Sequence, residues 1–246
     1  MSPAANASPK MTWAPACGRA RPACVEMALW RLDGLFIVNK PSGPTSFDVI
    51  RAARREIGVR KIGHAGTLDP IAEGVLVLGV GRGTKLLALC SGMDKSYLVR
   101  LRLGVRTDTR DAAGRVIDER DASGVSPDDL SRALEGFRGI ISQTPPMFSA
   151  VRHAGQRLYE FARQGVEVER AARTVEISRL VLVDCAPPEA TLEVDCSKGT
   201  YVRSLVDDLG ARLGVGAVMT ALVRTRVGPF SITEARPPGR LVSPSA

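Results

Sequence analysis

The carboxylate best placed for chemistry in this sequence is Asp69. It lies in a glycine-flanked loop, residues 63–74, that leads directly into an apolar run at residues 75–78. The following residue, Pro70, restrains Asp69 to an extended backbone. A loop anchored in this way on a strand can present a carboxylate at the bottom of a cleft. Taken alone, however, an Asp-Pro pair more often marks only a turn.

The charge of the chain points to a polyanionic partner. The net charge is +8, and arginine supplies most of the cations. The planar, forked and permanently charged guanidinium suits both phosphates and stacked bases. This balance favours a nucleic-acid ligand. A GC-rich coding sequence would also enrich arginine, so charge alone does not decide the function.

Several functional classes are disfavoured by the composition. There are five cysteines, no Cys-x-x-Cys pair and two histidines, which argues against a zinc site. An odd number of cysteines without a secretion signal indicates reduced thiols and a cytoplasmic protein. No apolar run approaches the roughly 20 residues that span a bilayer. Residues 1–31 are expected to be a disordered extension, with a premature start assignment or a transit peptide as alternatives.

Helix starts are the clearest local signals. Thr45 and Asp48 match a capping box, and residues 126–129 place a cap, a proline and two acids at a helix start. Further helices are predicted near residues 158–161 and over residues 200–213. The apolar face of the first helix is expected to consist of Phe47, Val49, Ile50, Ala53 and Ile57.

Strands are predicted from apolar or alternating runs at residues 35–38, 75–78, 96–103, 174–183 and 191–196. The run at residues 75–78 is apolar on both faces and should be central. The run at residues 96–103 alternates, which turns Arg100 and Arg102 outward. Because strands and helices do not alternate regularly, the sequence favours an α+β fold with a mixed, largely antiparallel sheet flanked by helices.

Three segments together are far more specific than any single motif. They are residues 39–46, residues 63–76 around Asp69, and residues 197–205. In this order and at this separation they closely resemble the TruB family of tRNA pseudouridine-55 synthases. The likeness continues through residues 94–97, 144–150 and 222–230. It covers about residues 32–235.

The resemblance implies both a fold and a reaction. It implies a pseudouridine synthase catalytic domain over residues 32–235. The sequence of the remaining residues, 236–246, is expected to be a proline-rich tail. The implied reaction isomerises a uridine to pseudouridine at position 55, in the T-arm loop of tRNA, on a base flipped out of its stack. It uses no metal and no organic cofactor. The implied enzyme acts without a guide RNA. A monomer is expected because nothing in the sequence suggests a dimer surface.

The resemblance also assigns roles to individual residues. It makes Asp69 the catalytic nucleophile or base, held ionised by Arg203. It gives Lys40 a structural role beneath the active-site loop, and it makes residues 143–165 a mobile insertion that closes over the RNA. The substrate-binding residues that it implies are His64, Tyr97, Tyr201 and Leu222.

Departures from the family leave alternatives open. Many members carry a C-terminal RNA-binding domain, whereas about ten residues follow Ala235 here. Val223 also replaces a more usual arginine. One alternative is a guide-RNA-dependent relative, which the missing domain disfavours. Another is a tRNA-binding folding helper whose catalysis is dispensable. A basic α+β domain of other function is the third, and only composition supports it.

Overall fold

The computed structural model describes residues 32–149, 151–153 and 155–242. The extension predicted at residues 1–31 lies outside the described residues. The strands are β1 Gly34–Lys40, β2 Ile62–Ala65, β3 Ala72–Val80, β4 Lys95–Leu103, β5 Val105–Thr107, β6 Val116–Glu119, β7 Gly139–Gln143, β8 Arg152–His153, β9 Gln156–Arg157, β10 Arg173–Ala186, β11 Glu189–Cys196, β12 Ala217–Val227 and β13 Phe230–Ser231. The α-helices are α1 Ser46–Ile57, α2 Leu87–Ser91, α3 Pro127–Glu135, α4 Leu158–Arg163 and α5 Val202–Arg212. Short 3₁₀ helices occupy Gly81–Leu86 and Ile232–Glu234.

One large sheet organises the described chain. Its strand order is β1-β3-β12-β4-β11-β10-β7, with β2 paired to β3 and β13 paired to β12. The β3–β12 ladder is parallel, and the other ladders of this sheet are antiparallel. Helix α5 packs on β12, and α3 packs on β10. The α+β fold class with a largely antiparallel sheet and flanking helices is confirmed.

The central strand β12 has no counterpart among the sequence predictions. It pairs with β3 on one side and with β4 on the other. Its ladder to β4 shifts register between Met219 and Ala221, and again between Arg224 and Arg226. These shifts break the two-residue alternation that normally reveals a strand. The strand therefore lacks a clean period, although several of its apolar side chains are buried.

Helix α1 begins where its capping box predicts. The Thr45 side chain accepts the Asp48 backbone N–H, and the Asp48 carboxylate accepts the Thr45 backbone N–H. Val49, Ile50, Ala53 and Ile57 are buried, as expected. The expectation for Phe47 is wrong, because this side chain is 54% exposed. The start of the predicted loop also differs, since residues 63–65 belong to strand β2.

The described part of the proline-rich tail packs against the first helix. Leu241 is buried in the apolar cluster that joins α1 to β1 and β3. The carboxylate of Glu56 in α1 accepts backbone N–H groups from Gly239, at 2.9 Å, and from Leu241. No helix in the described ranges is long and apolar enough to cross a membrane.

Gly74 marks the closest approach between β3 and β12. It has φ +100°, and a Cβ added there would collide with the backbone of Arg224. We expect Gly74→Ala to lower the free energy of unfolding by about 2–5 kcal/mol, through positive-φ strain and overpacking together. Gly58→Ala is the matched control, because Gly58 has φ +76° but open space around it. Urea unfolding of both variants checks this, and equal losses would contradict the close-approach argument.

Candidate active site

The loop that carries Asp69 connects β2 to β3 and is fixed by side chains from distant elements. Arg224, which is 1% exposed, donates to the carbonyl of Val75 at 2.7 Å and to the carbonyl of Gly66 at 3.1 Å. Ser46 Oγ donates to the Leu68 carbonyl at 3.0 Å and accepts the Leu68 N–H at 2.9 Å. The residue before Asp69 is therefore held through both of its backbone polar groups.

Lys40 supports the other end of this loop. Its ammonium is fully buried and donates to the carbonyls of Pro41 at 3.0 Å, Pro70 at 3.3 Å and Ala72 at 2.6 Å. Burial lowers the pKa of Lys40 to about 8, and the carboxylates of Asp69 and Glu73 act in the opposite direction. These contacts give Lys40 the geometry of a loop support.

We expect Lys40→Met to lower the free energy of unfolding at pH 7 by about 1–3 kcal/mol, because buried carbonyls lose their donor. The pKa gives a second signature. Folded Lys40 titrates near pH 8 and the ordinary value is 10.5, so the folded state binds fewer protons between these values. This group therefore makes stability rise with pH in that window.

Urea unfolding of wild type and Lys40→Met at pH 7, 8.5 and 10 measures both effects. The stability difference between the two proteins should widen as pH rises. A difference that stays constant across this range would contradict the buried-lysine account.

Asp69 forms an ion pair with Arg203. Arg203 Nε lies 2.9 Å from Asp69 Oδ2, and the two side chains are 5% and 37% exposed respectively. Arg203 occupies the first turn of α5, so the pair joins the loop of residues 63–74 to a helix packed on the sheet. The Asp69 carboxylate is therefore partly open to solvent, whereas the Arg203 guanidinium is buried.

The remaining donors of Arg203 are also engaged. Its Nη1 donates to the Thr109 carbonyl at 2.8 Å, and its Nη2 donates to the Phe148 carbonyl at 2.7 Å. Asp111 Oδ2 lies 3.6 Å from Nη1. Because these contacts hold the planar guanidinium in place, its Nε–H faces Asp69.

Asp111 is not among the site residues that the sequence predicts. Its carboxylate is 8% exposed and accepts from Thr109 Oγ1 at 2.7 Å and from the Ala113 N–H at 3.1 Å. Asp111 therefore belongs to the arginine's surroundings. The residues around Asp111 in the sequence are charged and typical of turns. No local pattern among them indicates a contact with Arg203.

Burial and charge act in opposite directions on Asp69. Burial raises the pKa of the Asp69 carboxyl, Arg203 lowers it, and the nearby charge of Asp111 raises it again. Because the carboxylate form is penalised by its surroundings, the ion pair with Arg203 is the main interaction that favours ionisation.

The structure brings all six sequence-predicted site residues to one cavity of about 820 Å³. Tyr97 on β4 is 9% exposed, and burial raises the pKa of its hydroxyl. The backbone of Tyr201 is clamped by Gln143, whose amide donates to the Tyr201 carbonyl at 3.0 Å and accepts its N–H at 2.7 Å. The six residues are Asp69, Arg203, His64, Tyr97, Tyr201 and Leu222.

The cavity has a cationic rim and a neutral histidine. Arg152, Arg157 and Arg163 line it, and all three lie in the insertion at residues 143–165. Burial lowers the pKa of His64, and the charge of Arg224 lowers it further, so the neutral imidazole is favoured. Within the described ranges, no group of three or more His, Cys, Asp or Glu side chains is placed to hold a metal ion.

Comparison with known proteins matches two consecutive family models. The TruB family pseudouridylate synthase N-terminal domain matches residues 54–202, and the tRNA pseudouridylate synthase B C-terminal domain matches residues 203–237. The boundary falls immediately before Arg203, and β12 lies in the second match. Asp69 and its guanidinium partner thus come from different matched segments that share one sheet.

Curated relatives and solved structures agree with this match. The tRNA pseudouridine synthase B of Heliobacterium modesticaldum is 50% identical over 206 residues, which are 82% of this chain and 67% of the relative. That of Symbiobacterium thermophilum is 52% identical over 207 residues, 83% of this chain and 69% of the relative. A chain from a crystal structure of a Cbf5-Nop10-Gar1 complex is 30% identical, with a TM-score of 0.65, over 86% of this chain. This chain spans about half of that one, 52%. The protein therefore belongs to the TruB family of pseudouridylate synthases.

Proposed function

We propose that this enzyme converts uridine to pseudouridine at position 55, in the T-arm loop of tRNA, without a guide RNA, a metal or an organic cofactor. The observation that carries the proposal is the Asp69–Arg203 pair, at 2.9 Å, in a cavity lined by three tyrosines and rimmed by arginines. The relatives at about 50% identity that are named tRNA pseudouridine synthase B support the choice of RNA.

The reaction is an isomerisation and needs no co-substrate. The bond between N1 of uracil and C1′ of the ribose breaks, and a bond between C5 and C1′ forms. The C5 proton is lost and N1 gains one, so atoms and electrons balance. Asp69 acts in its ionised form, either as the nucleophile or as the base that starts glycosidic cleavage. Arg203 favours that form by a charge-assisted hydrogen bond.

The target uridine has to leave its stack to reach Asp69. The cavity of about 820 Å³ is large enough for a nucleotide. Tyr97 is proposed to stack on the flipped base, with Tyr201 and Leu222 as further walls. His64, neutral and half-buried, is proposed to hold the opened loop.

Electrostatics supports an RNA ligand and not a small nucleoside. Arg152, Arg157 and Arg163 line the cavity, and the chain carries a net charge of +8. Such cations contact successive phosphates and make affinity depend on salt. The cysteines of the described ranges, Cys90, Cys185 and Cys196, are free thiols. Free thiols are typical of the reducing cytoplasm, so we propose a cytoplasmic enzyme. We also propose that it acts as a monomer.

The test is chemical mapping of pseudouridine in an unmodified tRNA transcript, incubated with the purified chain alone. We expect one new pseudouridine, in the T loop, and the same product in an isolated T-arm stem-loop. Product at another position would overturn the assignment of the target. Tight tRNA binding with no product would instead favour the tRNA-folding helper.

A further inference from the structure

Phe47 is an exposed aromatic ring at the active-site cavity that the proposed reaction does not use. It lies in the first turn of α1, lines the cavity and is 54% exposed. The same helix buries Val49 and Ile50, so the sequence places Phe47 on the side turned away from the core. A large exposed aromatic beside a catalytic cavity is a candidate contact for substrate.

Two arginines flank this ring. The guanidinium carbons of Arg51 and Arg54 lie 5.7 Å and 5.8 Å from the ring centroid. Both residues follow Phe47 in the helix, at +4 and +7, and so approach it from the same stripe of the helix surface. More than half of the phenyl surface remains open to solvent. An open aromatic ring beside cations is the arrangement that binds unpaired nucleotides, by stacking and phosphate attraction together.

The backbone that carries this ring is also fixed relative to the catalytic loop. Ser46, the preceding residue, exchanges two hydrogen bonds with the backbone of Leu68, at 3.0 Å and 2.9 Å. Asp69 follows Leu68 directly. The position of Phe47 relative to the catalytic carboxylate is therefore set by buried contacts and not by a free loop.

A base is a better ligand for this position than a phosphate. The Asp48 carboxylate already accepts the Thr45 N–H at 2.8 Å at the helix start. A phosphate at this helix start would be repelled by that carboxylate.

A similar arrangement of an aromatic ring beside two arginines recurs at Tyr159, which also lines the cavity. Arg157 and Arg163 lie 6.0 Å and 5.4 Å from its ring centroid.

We propose that Phe47 is a stacking platform for a second unpaired base, belonging to a nucleotide next to the target uridine in the RNA loop. Arg51 and Arg54 lie beside the ring and attract the phosphates of that nucleotide. This inference rests on the proposed function, because it requires an RNA loop whose bases leave their stack.

The experiment measures the Kd of a T-arm stem-loop for Phe47→Ala, Phe47→Leu and Phe47→Trp. Loss of one stacked base weakens binding by about 5- to 100-fold. We expect that loss for Phe47→Ala, a partial loss for Phe47→Leu, and affinity close to wild type for Phe47→Trp. Ile117→Ala is the matched control, since Ile117 is also 54% exposed but does not line the cavity.

A scan of abasic nucleotides through the RNA loop identifies the stacked base. At one position other than the target, removal of the base should abolish the difference between wild type and Phe47→Ala. Binding by Phe47→Ala within twofold of wild type, equal affinity of the Leu and Trp variants, or no coupled position would each overturn the platform. Because Kd is measured without turnover, these outcomes are separate from a failure of wild type to form pseudouridine.

Discussion

We expect Asp69→Asn to abolish pseudouridine formation, with a fall in the single-turnover rate of about 10⁴- to 10⁶-fold. Asparagine has nearly the same shape and can still accept from Arg203 Nε. It carries no charge at any pH, so it can neither attack the ribose or base nor remove a proton. The substitution therefore separates the charge of Asp69 from its place in the loop.

RNA binding by Asp69→Asn should be retained. The proposed phosphate contacts come from cations that line the cavity, such as Arg152 and Arg163, and the change leaves these in place. Filter binding of the T-arm stem-loop and a thermal melt of the protein check this alongside the rate. A rate within tenfold of wild type would remove Asp69 from the chemistry and reopen the folding-helper function.

Asp118→Asn is the matched control for this experiment. Asp118 lies on β6, outside the residues that line the cavity, and pairs with Arg120 at 3.0 Å on the surface. It undergoes the same chemical change, from carboxylate to amide. We expect its rate to match wild type, so that the effect at Asp69 is assigned to position and not to net charge.

The sequence predicts the parts of the fold that depend on short-range signals. The predicted capping box of α1 joins Thr45 to Asp48, three residues apart, and it forms. The helix start predicted at residues 126–129 is also observed, with Ser126 as the cap of α3. The half-buried strand around Tyr97 follows from alternation within nine residues. Such signals are legible because the interacting residues are close in the chain.

The parts of the fold that the sequence does not predict depend on contacts between residues far apart in the chain. Strand β12 is recognisable as central only once β3 and β4 are placed on either side of it. Asp111 contacts Arg203 from a distant segment, and Arg224 reaches back to Gly66 and Val75. No local pattern marks these residues, because their environment is built by the fold.

The sequence predicts the candidate site because several of its motifs are specific only in combination. Asp69 alone suggests only a turn, whereas its combination with the segments around Lys40 and Arg203 identifies a family. The error at Phe47 has the opposite origin. Helical periodicity, with apolar residues three and four positions apart, assigns every apolar residue near the apolar face of a helix to the core. It does not distinguish a ring that faces a cavity from one that faces the sheet.

Arg203→Gln should lower the single-turnover rate at neutral pH by about 10²- to 10³-fold, the usual cost of losing one preorganised charged donor. The variant also leaves Asp69 and Asp111 without the cation that lies between them. Since Arg203 lowers the pKa of Asp69 while burial and Asp111 raise it, this pKa should rise further. The loss is thus partly a loss of ionised Asp69.

The pH profile separates this effect from mere damage to the structure. In wild type the rate should fall as pH falls through the folded pKa of Asp69, which lies above the ordinary value of 3.8. In Arg203→Gln this acid limb should move to higher pH, so part of the activity returns as pH is raised. A variant whose packing is merely distorted would have a lower rate at every pH, without a shift of the acid limb of the pH profile.

Arg203→Lys discriminates charge from geometry. Lysine keeps a cation near Asp69 but lacks the fork that contacts the carbonyls of Thr109 and Phe148 as well. We expect its acid limb to stay near wild type while its rate falls between those of wild type and Arg203→Gln. An acid limb shifted as far as in Arg203→Gln would show that ionisation of Asp69 depends on the aligned Nε–H and not on a nearby positive charge.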